Sequence, residues 1–216
     1  MSTPPRPHVP TPPLPRLHAI TDERIARRND LDAVARELAR GGGPDLALHA
    51  RGHFLSGREH YELAVRLSAC PPARLFVNDR LDVALATGAA GVQLGTGSLE
   101  PADARRLNPA WWIGKSVHDL AEAEAARAGG ADYLLVGPVY ATASHPGREP
   151  LGLDAVKEIV ALGLPVVAIG GMTPERVAEV RASGVYGVAA IRALWDASDP
   201  AETARAMLAG LEWDRE

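Results

Sequence analysis

The chain has 216 residues, 46% of them hydrophobic and 23% charged, the make-up of one soluble globular domain whose core needs no disulfide or metal. A formal charge of −4 excludes a broad basic face, so neither nucleic acid nor an anionic membrane is expected as a partner. The single cysteine, Cys70, cannot form an internal disulfide. No apolar run reaches the roughly 18 residues of a membrane span or makes the core of a signal peptide, so a cytoplasmic protein is expected.

Residues 1–15 hold 7 of the 18 prolines and show no hydrophobic period, which predicts a disordered, Pro-rich tail ahead of one domain spanning 16–216. From there short apolar runs alternate with helical patterns. Strands are predicted at 17–21, 45–49, 74–78, 91–94, 112–116, 132–137, 165–169 and 186–190. Helices are predicted at 31–39, 59–67, 81–86, 101–106, 120–128, 153–161, 174–182 and 201–211. The helical segments space apolar residues three and four apart, as Leu31, Val34, Ala35 and Leu38 do. Asp30 and Thr173-Pro174 mark two helix starts, and Gly41 to Gly43, Gly129-Gly130 and Ser183-Gly184 mark three ends. Strands separated by helices need crossover connections, which favours a parallel sheet. Eight such units fit a closed (β/α)8 TIM barrel, and no Gly-x-Gly-x-x-Gly follows the first strand to support an open dinucleotide-binding sheet.

A barrel of this kind carries its chemistry at the C-terminal ends of its strands. Strand seven ends in Gly170 and Gly171, strand eight in Ile191 and Arg192. Glycines there let backbone N–H groups approach an anion, so these four residues are the expected phosphate site. The loop from Gly137 to Gly147, with Thr142, Ser144 and His145, has the small and hydroxyl-bearing composition of a lid. Alternation in strand two turns Ala47, His49 and Arg51 to one side, offering a proton carrier and a planar fork for an anion. Asn78 and Asp79 follow strand three; Ser116 and His118 follow strand five. His18 is read as packed, and His8 and His60 as incidental. No zinc-protease, CxxC, EF-hand, Walker A or GxSxG pattern occurs. The residues alone lead to a phosphate-binding barrel enzyme acting on a small metabolite.

Leu17-His18-Ala19-Ile20-Thr21-Asp22, Asn78-Asp79, Gly91-Val92-Gln93-Leu94, Gly114-Lys115-Ser116-Val117-His118, Gly137-Pro138-Val139-Tyr140 and Ile169-Gly170-Gly171-Met172-Thr173-Pro174 resemble, in order, the superfamily of thiamin phosphate synthases and TenI-like thiazole tautomerases. The resemblance implies a (β/α)8 barrel, a small phosphorylated thiazole substrate, and a homodimer or larger homo-oligomer. The synthase pattern it evokes has Gln-x-Arg-x-Lys after strand two, where this chain has His49, Arg51 and His53. That pattern also has a second metal carboxylate after strand four and a lid lysine, where this chain has Ser98 and His145. These departures favour the tautomerase branch: aromatisation of a thiazole phosphate carboxylate by proton transfer, with no cofactor and no metal. Under that reading His49 is the first choice of acid/base, with His118 and His145 next, because the position after the strand-six glycine that can carry the branch's histidine is Pro138. Arg51 would pair with the substrate carboxylate, and Asn78, Ser116, Thr142, Ser144, Gly170, Gly171, Ile191 and Arg192 would bind the rest. The alternative is a thiamin phosphate synthase that couples a pyrimidine diphosphate to the thiazole phosphate with Mg²⁺, for which Asp79 would be a ligand. A second alternative is a TenI-like ligand-binding or regulatory protein without catalysis.

Overall fold

The computed structural model describes residues 13–142, 147 and 149–212. Eight strands, β1 (Leu17–Ile20), β2 (Leu46–Ala50), β3 (Arg74–Asn78), β4 (Gly91–Leu94), β5 (Trp112–Val117), β6 (Tyr133–Val136), β7 (Val166–Ile169) and β8 (Gly187–Ala190), run parallel in chain order and close into a barrel. Closure is made by β1 against β8, with Leu17 opposite Val188 and Ala19 opposite Ala190. Around them lie α1 (Glu23–Ala26), α2 (Leu31–Gly42), α3 (Gly57–Ser68), α4 (Leu81–Thr87), α5 (Pro101–Leu107), α6 (Leu120–Ala128), α7 (Gly152–Val160), α8 (Pro174–Arg181), α9 (Arg192–Trp195) and α10 (Pro200–Gly210). This is the expected TIM barrel.

Strand alternation divides the core in two. Outward residues such as Leu17, Leu48, Val77, Ile113 and Val136 pack beneath the helices. Inward residues, among them Ile20, Ala47, Phe76, Tyr133, Leu135, Val167 and Ala189, fill the barrel. The interior is unusually aromatic for so narrow a space, and glycines make the room: a Cβ at Gly91 would lie 2.4 Å from the Phe76 ring, and one at Gly114 would lie 2.2 Å from the Tyr133 ring.

Helix starts follow local chemistry. Ser56 and Glu59 form a reciprocal capping box at α3, and Asp22, Asp119 and Asp199 accept backbone N–H groups at α1, α6 and α10. Asp30 stands at the start of α2 as expected, but its carboxylate pairs with Arg28 and makes no cap bond. Gly41 and Gly42 belong to α2, and Gly43 at φ +57° ends it. The packed chain reaches back past β1: Leu14 is buried in the barrel interior, with its carbonyl accepting from Tyr186 Oη. Cys70 is buried, and burial pushes its thiol pKa up, away from thiolate chemistry.

Candidate functional site

A cavity of about 310 Å³ opens at the C-terminal ends of the strands. Its floor is apolar, made by Ile20, Leu135, Ile169 and Ala189, the last inward residues of β1, β6, β7 and β8. Of the residues expected to bind substrate, Arg51, Asn78, Ser116, Thr142, Gly170, Gly171, Ile191 and Arg192 all line it, as does Asp79. Ser144 and His145 lie outside the described residues. Floor residues escaped the sequence reading because polar strand ends were sought; the inward parity of each strand was the available signal. His53, Thr96 and Met172 line the cavity as well.

The β7–β8 side brings Gly170, Gly171, Ile191 and Arg192 to the cavity. Gly170 and Gly171 hold φ at +101° and +65°, conformations that suit glycine, and the Gly171 carbonyl accepts from Arg176 Nη1 at 2.6 Å, outside the cavity lining. Arg192 opens α9, a four-residue helix too short to show a period in the sequence. Its position is fixed from α1: Asp196, just past α9, pairs with Arg24 at 2.7 Å and Arg28 at 2.9 Å, and Arg28 donates to the Trp195 carbonyl at 2.6 Å.

Across the barrel, β3 to β5 supply a different set. Asp79 adopts φ +62°, the one positive φ on a non-glycine residue among the described residues. Its Oδ1 accepts from Gly95 N at 2.8 Å and from the Ser98 hydroxyl. Ser116 Oγ accepts from Gln93 Nε2 at 3.0 Å. His118 is tethered by Glu122, whose Oε2 lies 2.8 Å from its backbone N and 2.9 Å from Nδ1; Asp119, not His118, caps α6. Beside β2, Arg51 Nη2 contacts His53 Nε2, and Thr21 Oγ1 fixes the strand end by accepting from Arg51 N at 2.9 Å.

His49 is placed elsewhere. It is fully buried below the cavity and does not line it. In the strand register His49 stands beside Ile20 of β1 and Phe76 of β3, and it is stacked on Phe76 with ring centroids 5.2 Å apart. Its Nε2 lies 2.8 Å from His18 Nδ1, and its Nδ1 lies 3.0 Å from Asn78 Oδ1. Burial pushes its pKa from 6.5 down to about 4, and burial likewise drives His18 well below its ordinary value. Both are neutral at pH 7. Of the three histidines expected to move protons, His118 is the one seen at the cavity wall.

Among the described residues no three His, Cys, Asp or Glu side chains gather as a metal-binding group, and no helix is long and apolar enough to cross a membrane.

A closed parallel barrel of eight strands with alternating helices and a cavity at the strand C-termini defines the class as a (β/α)8 TIM barrel. Residues 17–194 match the family model described as thiamine monophosphate synthase, and the chain belongs to that family of thiamine-biosynthesis enzymes. It is 43% identical to the thiamine-phosphate synthase of Methanoculleus marisnigri over 88% of this chain and 92% of that protein. It is 42% identical to the thiamine-phosphate synthase of Salinispora tropica over 93% of this chain and 99% of that one. The structure of thiamine phosphate pyrophosphorylase from Pyrococcus furiosus superposes with a TM-score of 0.78 at 34% identity, covering 91% of this chain and 95% of that one. These relatives are named for the synthase and not for the tautomerase, so they favour the alternative over the first expectation drawn from the motif departures.

Proposed function

We propose that this protein is a thiamine-phosphate synthase, joining a pyrimidine diphosphate to a thiazole phosphate with loss of diphosphate. The observation that carries the reading is Asp79. A carboxylate held at φ +62° on the wall of a cavity built for anions repels its substrate unless a cation stands between them. Mg²⁺ is commonly bound by one or two carboxylates plus substrate phosphate oxygens, and Asp79, with the Thr96 and Ser98 hydroxyls nearby in sequence, fits that minimal donor set. Such an ion would neutralise charge on the departing diphosphate.

The chain's own groups divide the remaining work. Arg51 and His53 take the diphosphate by charge and hydrogen bonding. Gly170, Gly171 and Arg192 hold the thiazole phosphate, facing its ring nitrogen across the apolar floor toward the pyrimidine. That floor packs the two rings and excludes water that would otherwise capture the pyrimidine carbon. The bond from pyrimidine methylene to diphosphate oxygen breaks with the electron pair leaving on oxygen, and the thiazole nitrogen lone pair forms the new C–N bond, so no proton needs to move.

The tautomerase reading stays in play on one observation: His118, with Nδ1 tied to Glu122, is an oriented imidazole at the cavity wall suited to proton transfer. A paired turnover assay separates the two. One arm holds pyrimidine diphosphate, thiazole phosphate and Mg²⁺; the other holds freshly generated thiazole tautomer without metal. Coupling that stops on chelation and falls at least about 100-fold in Asp79→Asn, the loss of one charged contact to the transition state, supports the synthase. Metal-free aromatisation above the spontaneous rate without coupling replaces it with the tautomerase, and turnover in neither arm refutes both.

A further inference from the structure

The barrel interior holds a polar chain that the proposed reaction does not use. It starts at the Pro15 carbonyl, which lies 2.9 Å from His18 Nε2. It continues through His18 Nδ1 to His49 Nε2 at 2.8 Å, and from His49 Nδ1 to Asn78 Oδ1 at 3.0 Å. Asn78 is the one member that lines the cavity.

The protons along this chain are determined by its first link. A carbonyl only accepts, so His18 Nε2 carries hydrogen. With His18 neutral, its Nδ1 is a bare acceptor, and His49 Nε2 must donate to it. With His49 neutral, its Nδ1 is bare as well, so the Asn78 atom facing it must be a donor. The two ends of an amide have the same shape, and their partners decide which is oxygen and which nitrogen. An oxygen facing the bare Nδ1 would set acceptor against acceptor in a buried site, a loss of about 1–3 kcal/mol avoided by turning the amide over.

The surroundings keep both rings neutral. His18 from β1 and Phe76 and Asn78 from β3 face the His49 ring, and Arg51 further along β2 adds positive charge; Phe76 and Tyr133 stand against His18, and Arg74 at the start of β3 adds positive charge there. No carboxylate is among these groups to hold a second proton on His49.

We infer that His18 and His49 form a proton-ordered relay that fixes the Asn78 amide with its nitrogen toward His49 and its oxygen toward the cavity. Asn78 is then an acceptor in the binding site. Its oxygen then receives an N–H or O–H group of the bound molecule. The assignment holds for whichever reaction the cavity carries out. His18 and His49 are positioning residues, acting on the bound molecule through Asn78.

Nitrogen NMR on uniformly 15N-labelled protein at pH 7 tests this directly. The relay requires both histidines as neutral Nε2–H tautomers, with an N–N coupling across the hydrogen bond from Asn78 Nδ2 to His49 Nδ1. A His49 ring protonated at Nδ1, or absence of that coupling with the Asn78 amide protons in fast exchange with solvent, overturns the inference. Asn78→Asp supplies a second reading in the folded protein. An acceptor-only side chain beside Nδ1 draws a second proton onto His49 and raises its titration midpoint by about 1–3 units. An unshifted His49 midpoint in that variant contradicts the link from His49 to Asn78.

Discussion

Gly170→Ala tests the turn after β7 most directly. Gly170 holds φ at +101°, and an added Cβ would sit 2.6 Å from Pro138 Cα and Cβ and 3.1 Å from Val139 N. Two costs combine. An L side chain at positive φ loses about 1–2 kcal/mol. The contact falls on backbone, which cannot swing aside like a flexible side-chain end, and overpacking of this kind costs about 1–3 kcal/mol. The loss is therefore about 2–5 kcal/mol. Gly130 supplies the control: it holds φ at +87°, but nothing lies within 4 Å of where its Cβ would be. Gly130→Ala should lose only the backbone part, about 1–2 kcal/mol. Urea unfolding followed by circular dichroism reads the difference. With a denaturant slope of about 2 kcal/mol per molar, the midpoint falls by about 1–2.5 M for Gly170→Ala and by about 0.5–1 M for Gly130→Ala. Equal losses at the two positions would refute the contact with Pro138.

The remaining predictions concern charge. His18 and His49 titrate lower in the folded than in the unfolded protein, so the unfolded chain binds more protons as pH falls below 6.5. Unfolding free energy should be flat above pH 7 and fall below 6.5, with His49 alone accounting for about 3 kcal/mol by pH 4; a flat profile from pH 7 to pH 5 would show that these rings are not buried neutral. Arg105 pairs with Asp132, whose side chain is 2% exposed and also accepts from Ile113 N at 2.9 Å. Arg105→Gln removes that ion pair and should cost about 2–4 kcal/mol by thermal or urea unfolding. Arg192→Ala removes a charge from the β8 end and should weaken inorganic phosphate binding, read by calorimetry, about 10-fold or more while leaving the melting temperature nearly unchanged; unaltered phosphate affinity would take Arg192 out of the anion site.

The barrel was legible because each strand is a short apolar run between amphipathic helices, and the eight runs fall within two residues of β1 to β8. Four residues cannot display a 3.6-residue period, which is why α1 and α9 escaped and why Arg192 was expected at a bare strand end. His49 shows a subtler limit. Its inward parity was read correctly, but what buries it is contact with His18, Phe76 and Asn78 from the neighbouring strands, which the pattern of β2 does not display. The left-handed backbone of Asp79 has only a weak sequence signal: aspartate enters that region more readily than most residues, but the bonds from Gly95 and Ser98 that meet its carboxylate come from the far side of β4. In weighing synthase against tautomerase, the few departing positions pointed one way and similarity over the whole chain the other.

Leu14 and Pro15 close the barrel at the end where the strands begin, with Leu14 among the interior side chains and the Pro15 carbonyl accepting from His18. Anything joined upstream of residue 13 therefore starts on the face opposite the mouth, separated from it by the height of the strand layer, about 15 Å for a five-residue strand. Removal of the chain through residue 15 takes away both the stopper and the acceptor that orders the first histidine.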